Sequence, residues 1–261
     1  MTDVLFPPLL GPGDPVRIIA PAGPVPKEGF DEGEALLSRW FTVQKAPAVF
    51  ARKGYLAGDD AVRLADFQKA LSDGAKAVIA ARGGFGSSRI LDRIDWASLA
   101  QRPRWIVGCS DLTAVLVHLF GAFRLATIHG PMVARMGAAA ADAERLQDLL
   151  QTGCGSDVCP LTPLVPGSAE GPLVGGNLTV MAHLCGTIAP DFAKGCILFI
   201  EDVNEAPYRI DRCLVQLARA GVLRHVAGVV FGEFTDCPPG LDSVAVDEVL
   251  ADHFTDAPFP V

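Results

Sequence analysis

Residues 103–119 read PRWIVGCSDLTAVLVHL, and the change of pattern inside them decides the fold. Residues 105–107 form a short apolar run of the kind a buried strand makes, whereas from Leu112 the apolar positions Val115, Leu116 and Leu119 recur at helical spacing. Ser110 therefore stands at a strand-to-helix joint. Such a joint lifts one side chain out of the sheet edge and aims the first N–H groups of the helix, which lack intrahelical acceptors, at the same point. That arrangement suits a nucleophile. It equally suits a plain N-cap, in which Ser110 or Asp111 satisfies those N–H groups and no chemistry follows.

The pattern repeats on either side. Residues 16–20 are an apolar strand that ends in a Pro/Gly loop over 21–26, and 27–40 read as a helix. A second strand begins at Val43. Asp59 or Asp60 can cap a helix over 61–71, after which 77–81 is a β-run that breaks into RGGFGSSR at 82–89. A strand near 125–128 ends in HGPM, and a helix follows over 138–151. Strands alternating with helices predict an α/β fold, here an N-terminal open, mostly parallel, flavodoxin-like sheet domain over residues 1–152. In such sheets ligands gather at the carboxyl ends of the strands, which is where RGGFGSSR and Ser110 both lie.

Residues 153–170, GCGSDVCPLTPLVPGSAE, have no sustained periodicity and read as a linker. A smaller C-terminal α/β domain is expected over 171–261. It opens with a strand from Leu173, a turn at Gly175 and Gly176, and a helix capped by Asn177. GCILFIEDV at 195–203 is an apolar strand ending in two carboxylates, YRIDRCLVQLARA an amphipathic helix closed by Gly221, and VAGVVFGEF at 226–234 a further strand.

Composition limits the function classes. The 261 residues are half hydrophobic, enough to bury a sizeable core without disulfides. With 22 basic against 30 acidic residues the net charge is −8, which disfavours nucleic acid or an anionic membrane as partner and favours a small-molecule or peptide substrate. The first residues, MTDVLFPPLL, lack the basic start and continuous apolar core of a signal peptide, and no apolar run is long enough for a membrane span. The seven cysteines show no paired spacing and read as reduced thiols of a cytoplasmic protein. Neither a HExxH motif nor a Cys/His ladder is present, so no metal and no organic cofactor is expected.

Two stretches can carry chemistry. Gly83, Gly84 and Gly86 free the backbone of RGGFGSSR to expose N–H groups to a phosphate or an oxyanion, or they mark a tight turn only. In FIEDVNEAPYRIDR, Glu201 ends a buried strand and needs a partner if it ionises; that is either a catalytic histidine or an ion pair with Arg209 or Arg212. His129 follows a strand on the ligand edge, whereas His118 and His183 fall at helical positions.

The ordered set RGGFGSSR, GCSDLTA, HGPM, GGNLT, IEDVNEAPYRIDR and GEF resembles the LD-carboxypeptidase family of serine peptidases, which includes the microcin-C immunity peptidases, from about Asp14 to the end of the sequence. The resemblance implies a Ser-His-Glu triad on two domains with the active site between them. Ser110 would be the nucleophile and Glu201 would orient the histidine, with the backbone N–H of Asp111 and one from the Gly83–Gly84 turn as oxyanion hole. It also implies release of D-Ala from cytoplasmic murein tetrapeptide, at the bond between the L-centre of diaminopimelate and the D-residue. Arg82, Arg209 and Arg212 are candidates for the substrate carboxylate, because a guanidinium matches it in shape, His129 on the ligand edge is a further substrate-binding candidate, and a homodimer is a candidate assembly. An aminoacyl-nucleotide hydrolase of the microcin-C type, or a non-enzymatic nucleotide or small-ligand binding protein, is the alternative.

The sequence departs from the family in one respect. The family histidine lies in a Gly-His motif after the last strands, and these residues end at ADHFTDAPFPV, where His253 stands in a different context. The expectation is a Gly-His pair beyond residue 261, with His129 as the substitute inside the sequence.

Overall fold

A computed structural model describes residues 3–155, 159–241 and 243–261. Residues 1–2 of the expected N-terminal domain, 156–158 of the expected linker and 242 of the expected C-terminal domain lie outside the described residues. The chain divides into two compact units, Met1–Leu119 with Phe123–Asp157, and Phe120–Ala122 with Val158–Val261. The described residues of 153–170 form neither helix nor strand.

The first unit runs β1 (Pro15–Ile19), α1 (Lys27–Leu37), β2 (Thr42–Lys45), α2 (Asp60–Ser72), β3 (Ala77–Ala80), α3 (Ala97–Gln101), β4 (Trp105–Gly108), α4 (Thr113–Phe123), β5 (Ile128–His129), α5 (Val133–Met136) and α6 (Ala140–Thr152). Its strands pair in parallel in the order β2-β1-β3-β4-β5, the flavodoxin-like order. Successive strand side chains point to opposite faces, so the apolar runs feed two cores. Val16, Ile18, Ile79 and Val107 pack with Phe30 and Leu37 of α1 and with Leu146 and Leu150 of α6. Ile19, Val78, Ala80 and Ile106 pack with Phe67 and Leu71 of α2 and with Val115 and Leu119 of α4. The strand order reverses between β1 and β3, so the loops leaving these two strands flank the switch point where ligands of such sheets bind.

Two boundaries lie three residues from the sequence reading. The first helix stops at Leu37 rather than at Trp40, because residues 38–40 tighten into a turn in which Arg39 and Trp40 donate to Leu36 and Leu37 carbonyls. The strand expected over 125–128 shrinks to Ile128–His129; Leu125 is drawn to the N-terminal segment, where Leu5 donates to Arg124 and accepts from Ala126.

The second unit runs β6 (Leu173–Asn177), α7 (Leu178–His183), β7 (Ile197–Val203), α8 (Pro207–Ala220), β8 (Gly228–Thr235) and α9 (Val246–Phe254). Its sheet is parallel, in the order β6-β7-β8. Helix α8 buries Ile210, Leu214 and Leu217 on one stripe and ends at Gly221, which takes the left-handed conformation of a C-terminal cap. The turn expected at Gly175 and Gly176 is instead part of β6. Both residues keep pairing with β7 at positive φ, and a Cβ on Gly175 would lie 2.0 Å from the Phe199 carbonyl oxygen. These glycines let two backbones approach rather than turning one of them. Among the described residues no helix is long and apolar enough to cross a membrane.

Candidate active site

In the first unit the sequence WIVG ends β4 in an extended Cys109, and the chain then reverses at Ser110 into a tight turn, Ser110–Leu112, that leads into α4. Ser110 has φ 57°. A non-glycine residue held there costs about 1 kcal/mol or more and persists only where its surroundings impose it. The turn is a strained elbow with the serine at its apex. Gly83, in the loop after β3, lies against that serine: a Cβ on Gly83 would stand 3.2 Å from both Cβ and Oγ of Ser110 and 3.3 Å from Cε of Met132.

The sequence left open whether Asp111 caps its own helix. Its carboxylate is buried and turns instead to the glycine loop, accepting from the N–H of Ser87 at 2.8 Å and of Gly86 at 3.3 Å, while Ser87 Oγ donates to the Asp111 carbonyl at 2.8 Å. Burial raises the Asp111 pKa above the ordinary carboxylate value, against the hydrogen bonds from Ser87 and Gly86 and the nearby Arg63 charge. The backbone N–H of Asp111 starts the turn and has no intrahelical acceptor. Arg82 spends one donor on the Pro24 carbonyl, at 2.6 Å, and so ties the loop after β3 to the loop after β1. His129 pairs in register with Gly108 at the end of β5, next to β4. It lines a cavity of about 450 Å³ with Cys109, Ile128, Pro131, Arg145 and Leu146.

In the second unit the two carboxylates that end β7 have different surroundings. Asp202 is buried and saturated: it accepts from Asn177 Nδ2 (2.8 Å), from the N–H and hydroxyl of Thr179 (2.9 and 2.8 Å) and from the Val203 N–H (2.8 Å). With Asn177 capping the Val180 N–H, Asp202 holds the start of α7. Glu201, one residue earlier, points to the other face of the sheet and is only part-buried; burial, and then the Asp202 charge, push its pKa up to about 7. Arg209 pairs with Glu205 at 3.5 Å and donates to Tyr208, and Arg212 lies over the Tyr208 ring. Among the described residues no group of three or more His, Cys, Asp or Glu side chains is placed to hold a metal ion.

Three residues at these sites escaped the sequence reading. Arg63 of α2 is 1% exposed and donates from Nη1 to the Pro21 carbonyl at 2.5 Å and to the Gly86 carbonyl at 2.7 Å. The available signal was an arginine on the same helical stripe as Phe67, Ala70 and Leu71. Ser87 and Thr179, the partners of Asp111 and Asp202, carried no signal beyond their polarity inside motif stretches.

Comparison with known proteins places the chain in a family. The family description "LD-carboxypeptidase N-terminal domain" matches residues 16–130, and "LD-carboxypeptidase C-terminal domain" matches 170–261. The chain is 37% identical over 265 residues to the probable murein peptide carboxypeptidase of Bacillus subtilis, covering 97% of this chain and 83% of that one. It is 38% identical over 205 residues to the murein tetrapeptide carboxypeptidase of Pseudomonas aeruginosa, covering 73% of this chain and 66% of that one. Among solved structures, muramoyltetrapeptide carboxypeptidase from Oxalobacter formigenes superposes with a TM-score of 0.78 at 29% identity, over 95% of this chain and 86% of that one. With both of its domains matched in order along one chain, this protein belongs to the LD-carboxypeptidase family of peptidases.

Proposed function

We propose that the chain is a serine peptidase that removes the terminal D-Ala of a murein tetrapeptide at an LD bond. The observation that carries this reading is the Ser110 elbow at φ 57° with Gly83 against the hydroxyl, a geometry that a mere helix cap does not need. The names of the two curated relatives support murein peptide as substrate.

In this reading Ser110 Oγ attacks the carbonyl carbon of the scissile bond while a histidine takes its proton. The carbonyl oxygen becomes an oxyanion and accepts from the Asp111 N–H and an N–H of the Gly83–Gly84 turn. The histidine returns the proton to the leaving D-Ala nitrogen, and water, activated by the same base, hydrolyses the acyl-serine ester. Glu201 holds the imidazole. Its ionised carboxylate accepts the ring N–H on the far side of the imidazole, and positive charge beside it favours that ionised form, so the pair is strongest when positive charge develops on the ring. Arg82, Arg209 and Arg212 are the candidates for the substrate's terminal carboxylate. The steps use protein groups alone and suit a cytoplasmic pool of murein peptide.

The test is to incubate the protein with murein tetrapeptide and to measure free D-Ala. Stoichiometric release of D-Ala and tripeptide supports the reading; intact tetrapeptide after prolonged incubation refutes it. Comparing His129→Ala in the same assay tests that residue as the base: retained release excludes it, and a kcat-selective loss in a folded variant with KM unchanged supports it.

A further inference from the structure

We propose that Arg63 and Asp111 are positioning residues that clamp the Gly83–Ser87 loop from opposite sides and so fix its N–H donors relative to Ser110 before substrate arrives. The inference rests on the oxyanion role proposed for that loop.

Gly86 is the point of grip. Its carbonyl accepts from Arg63 Nη1 at 2.7 Å and its N–H donates to the Asp111 carboxylate at 3.3 Å, so one residue is held at both ends. Only a glycine permits this: Gly86 has φ 144°, and a Cβ there would lie 2.7 Å from Arg63 Nη1. The same Nη1 also binds the Pro21 carbonyl, which joins the loops after β1 and β3 across the switch point, and Nη2 pairs with Asp60. From the other side Asp111 takes the Ser87 N–H and its backbone carbonyl takes the Ser87 hydroxyl. Asp111 also directly follows the nucleophile, so the clamp ties loop and elbow to each other.

The clamp reaches the donors through one further bond. The Gly83 carbonyl accepts from the Gly23 N–H at 2.9 Å. Because the peptide is planar and trans, this fixes the Gly84 N–H in the opposite direction, away from Gly23. A loop of three glycines would otherwise be among the most mobile in the fold. Core packing does not explain the arginine: Phe67, Ala70 and Leu71 share its stripe, and a guanidinium buried there costs several kcal/mol unless its partners compensate. Asp60 of the same helix partners Nη2, but both acceptors of Nη1 are loop carbonyls, so the burial of the guanidinium is matched to a fixed loop. Preorganised donors contribute to catalysis because they need no reorganisation when charge develops.

The test is Arg63→Met, an apolar replacement suited to that stripe, read by tetrapeptide kinetics and by hydrogen exchange of residues 82–87. The expected result is a kcat lower by about 10- to 100-fold with KM within about twofold, part of the effect of deleting an oxyanion donor. Exchange should speed in the loop and stay unchanged in β3 and β4. If Arg63→Met does not fold, Arg63→Lys, which keeps the charge but has a single nitrogen and cannot hold the two carbonyls and Asp60 from separate ones, is measured the same way. Asp111→Asn, which sets an amide donor against the loop N–H groups, should give the same kcat-selective loss. A folded Arg63 variant with wild-type kcat, or with loop exchange unchanged, overturns the clamp. A wild-type protein that releases no D-Ala sinks the functional reading instead, and loop exchange alone then decides the clamp.

Discussion

Replacing Glu201 with Gln should change how stability depends on pH, and the size of the change follows from the site. Burial and the Asp202 charge raise the carboxyl from 4.5 to about 7 in the folded protein. Folded Glu201 therefore keeps its proton over a range in which the unfolded chain has released it. The folded state binds more protons between about pH 4.5 and 7, so wild-type stability falls as pH rises through that window. The favourable contribution is complete below about 4.5 and gone above about 7. A difference of about 2.5 pH units corresponds to a ceiling of about 3 kcal/mol, or about 2 kcal/mol once solvent screening of a part-buried group is allowed for. The Gln variant is neutral throughout and lacks this slope. Urea midpoints of both proteins at about pH 5 and pH 8 give the comparison, with wild type losing about 1 to 2 kcal/mol more than the variant between the two conditions, because part of the window lies below pH 5. Equal losses in both proteins would show that Glu201 ionises as if in water and that burial does not raise its pKa.

Other outcomes follow from close contacts and saturated groups. Gly83→Ala places a methyl 3.2 Å from the Ser110 hydroxyl, and should lower kcat by about tenfold or more with little change in unfolding midpoint, through misplacement of the nucleophile; unchanged kcat would separate the loop from the chemistry. Gly175→Ala drives a Cβ to 2.0 Å from the Phe199 carbonyl oxygen, and should destabilise the protein by about 3 kcal/mol or more in denaturant titration. A neutral result would mean that β6 and β7 can separate without cost. Asp202→Ala strips the acceptor from the Asn177 amide and from the Thr179 N–H and hydroxyl, and should cost about 2 to 4 kcal/mol; a loss of activity at full stability would instead place Asp202 in the chemistry.

Much of the fold is legible in the sequence, because strands buried on both faces read as unbroken apolar runs and each is followed by a helical stripe. Residues 16–20, 77–81 and 105–107 fall on β1, β3 and β4 for that reason. The reading strays where a long-range partner overrides local pattern. Leu125 goes to Leu5 across the chain, and Gly175 and Gly176 stay in a strand because β7 comes too close for a side chain. The elbow is legible from Gly108, Ser110 and Asp111 standing between a strand and a helix. What Asp111 grips is not, since Gly86 and Ser87 are distant in sequence, and the loop contact of Arg63 stays hidden because its acceptors there are backbone carbonyls that no sequence pattern marks.

Ser110 is proposed as the nucleophile of a peptidase that frees D-Ala. The most direct measurement is the rate of D-Ala release from murein tetrapeptide by wild type and by Ser110→Ala at equal concentration, with unfolding curves recorded for both. For Ser110→Ala, kcat should fall by about three orders of magnitude or more, with the unfolding midpoint preserved. Release by the folded alanine variant at a rate near that of wild type would contradict that role.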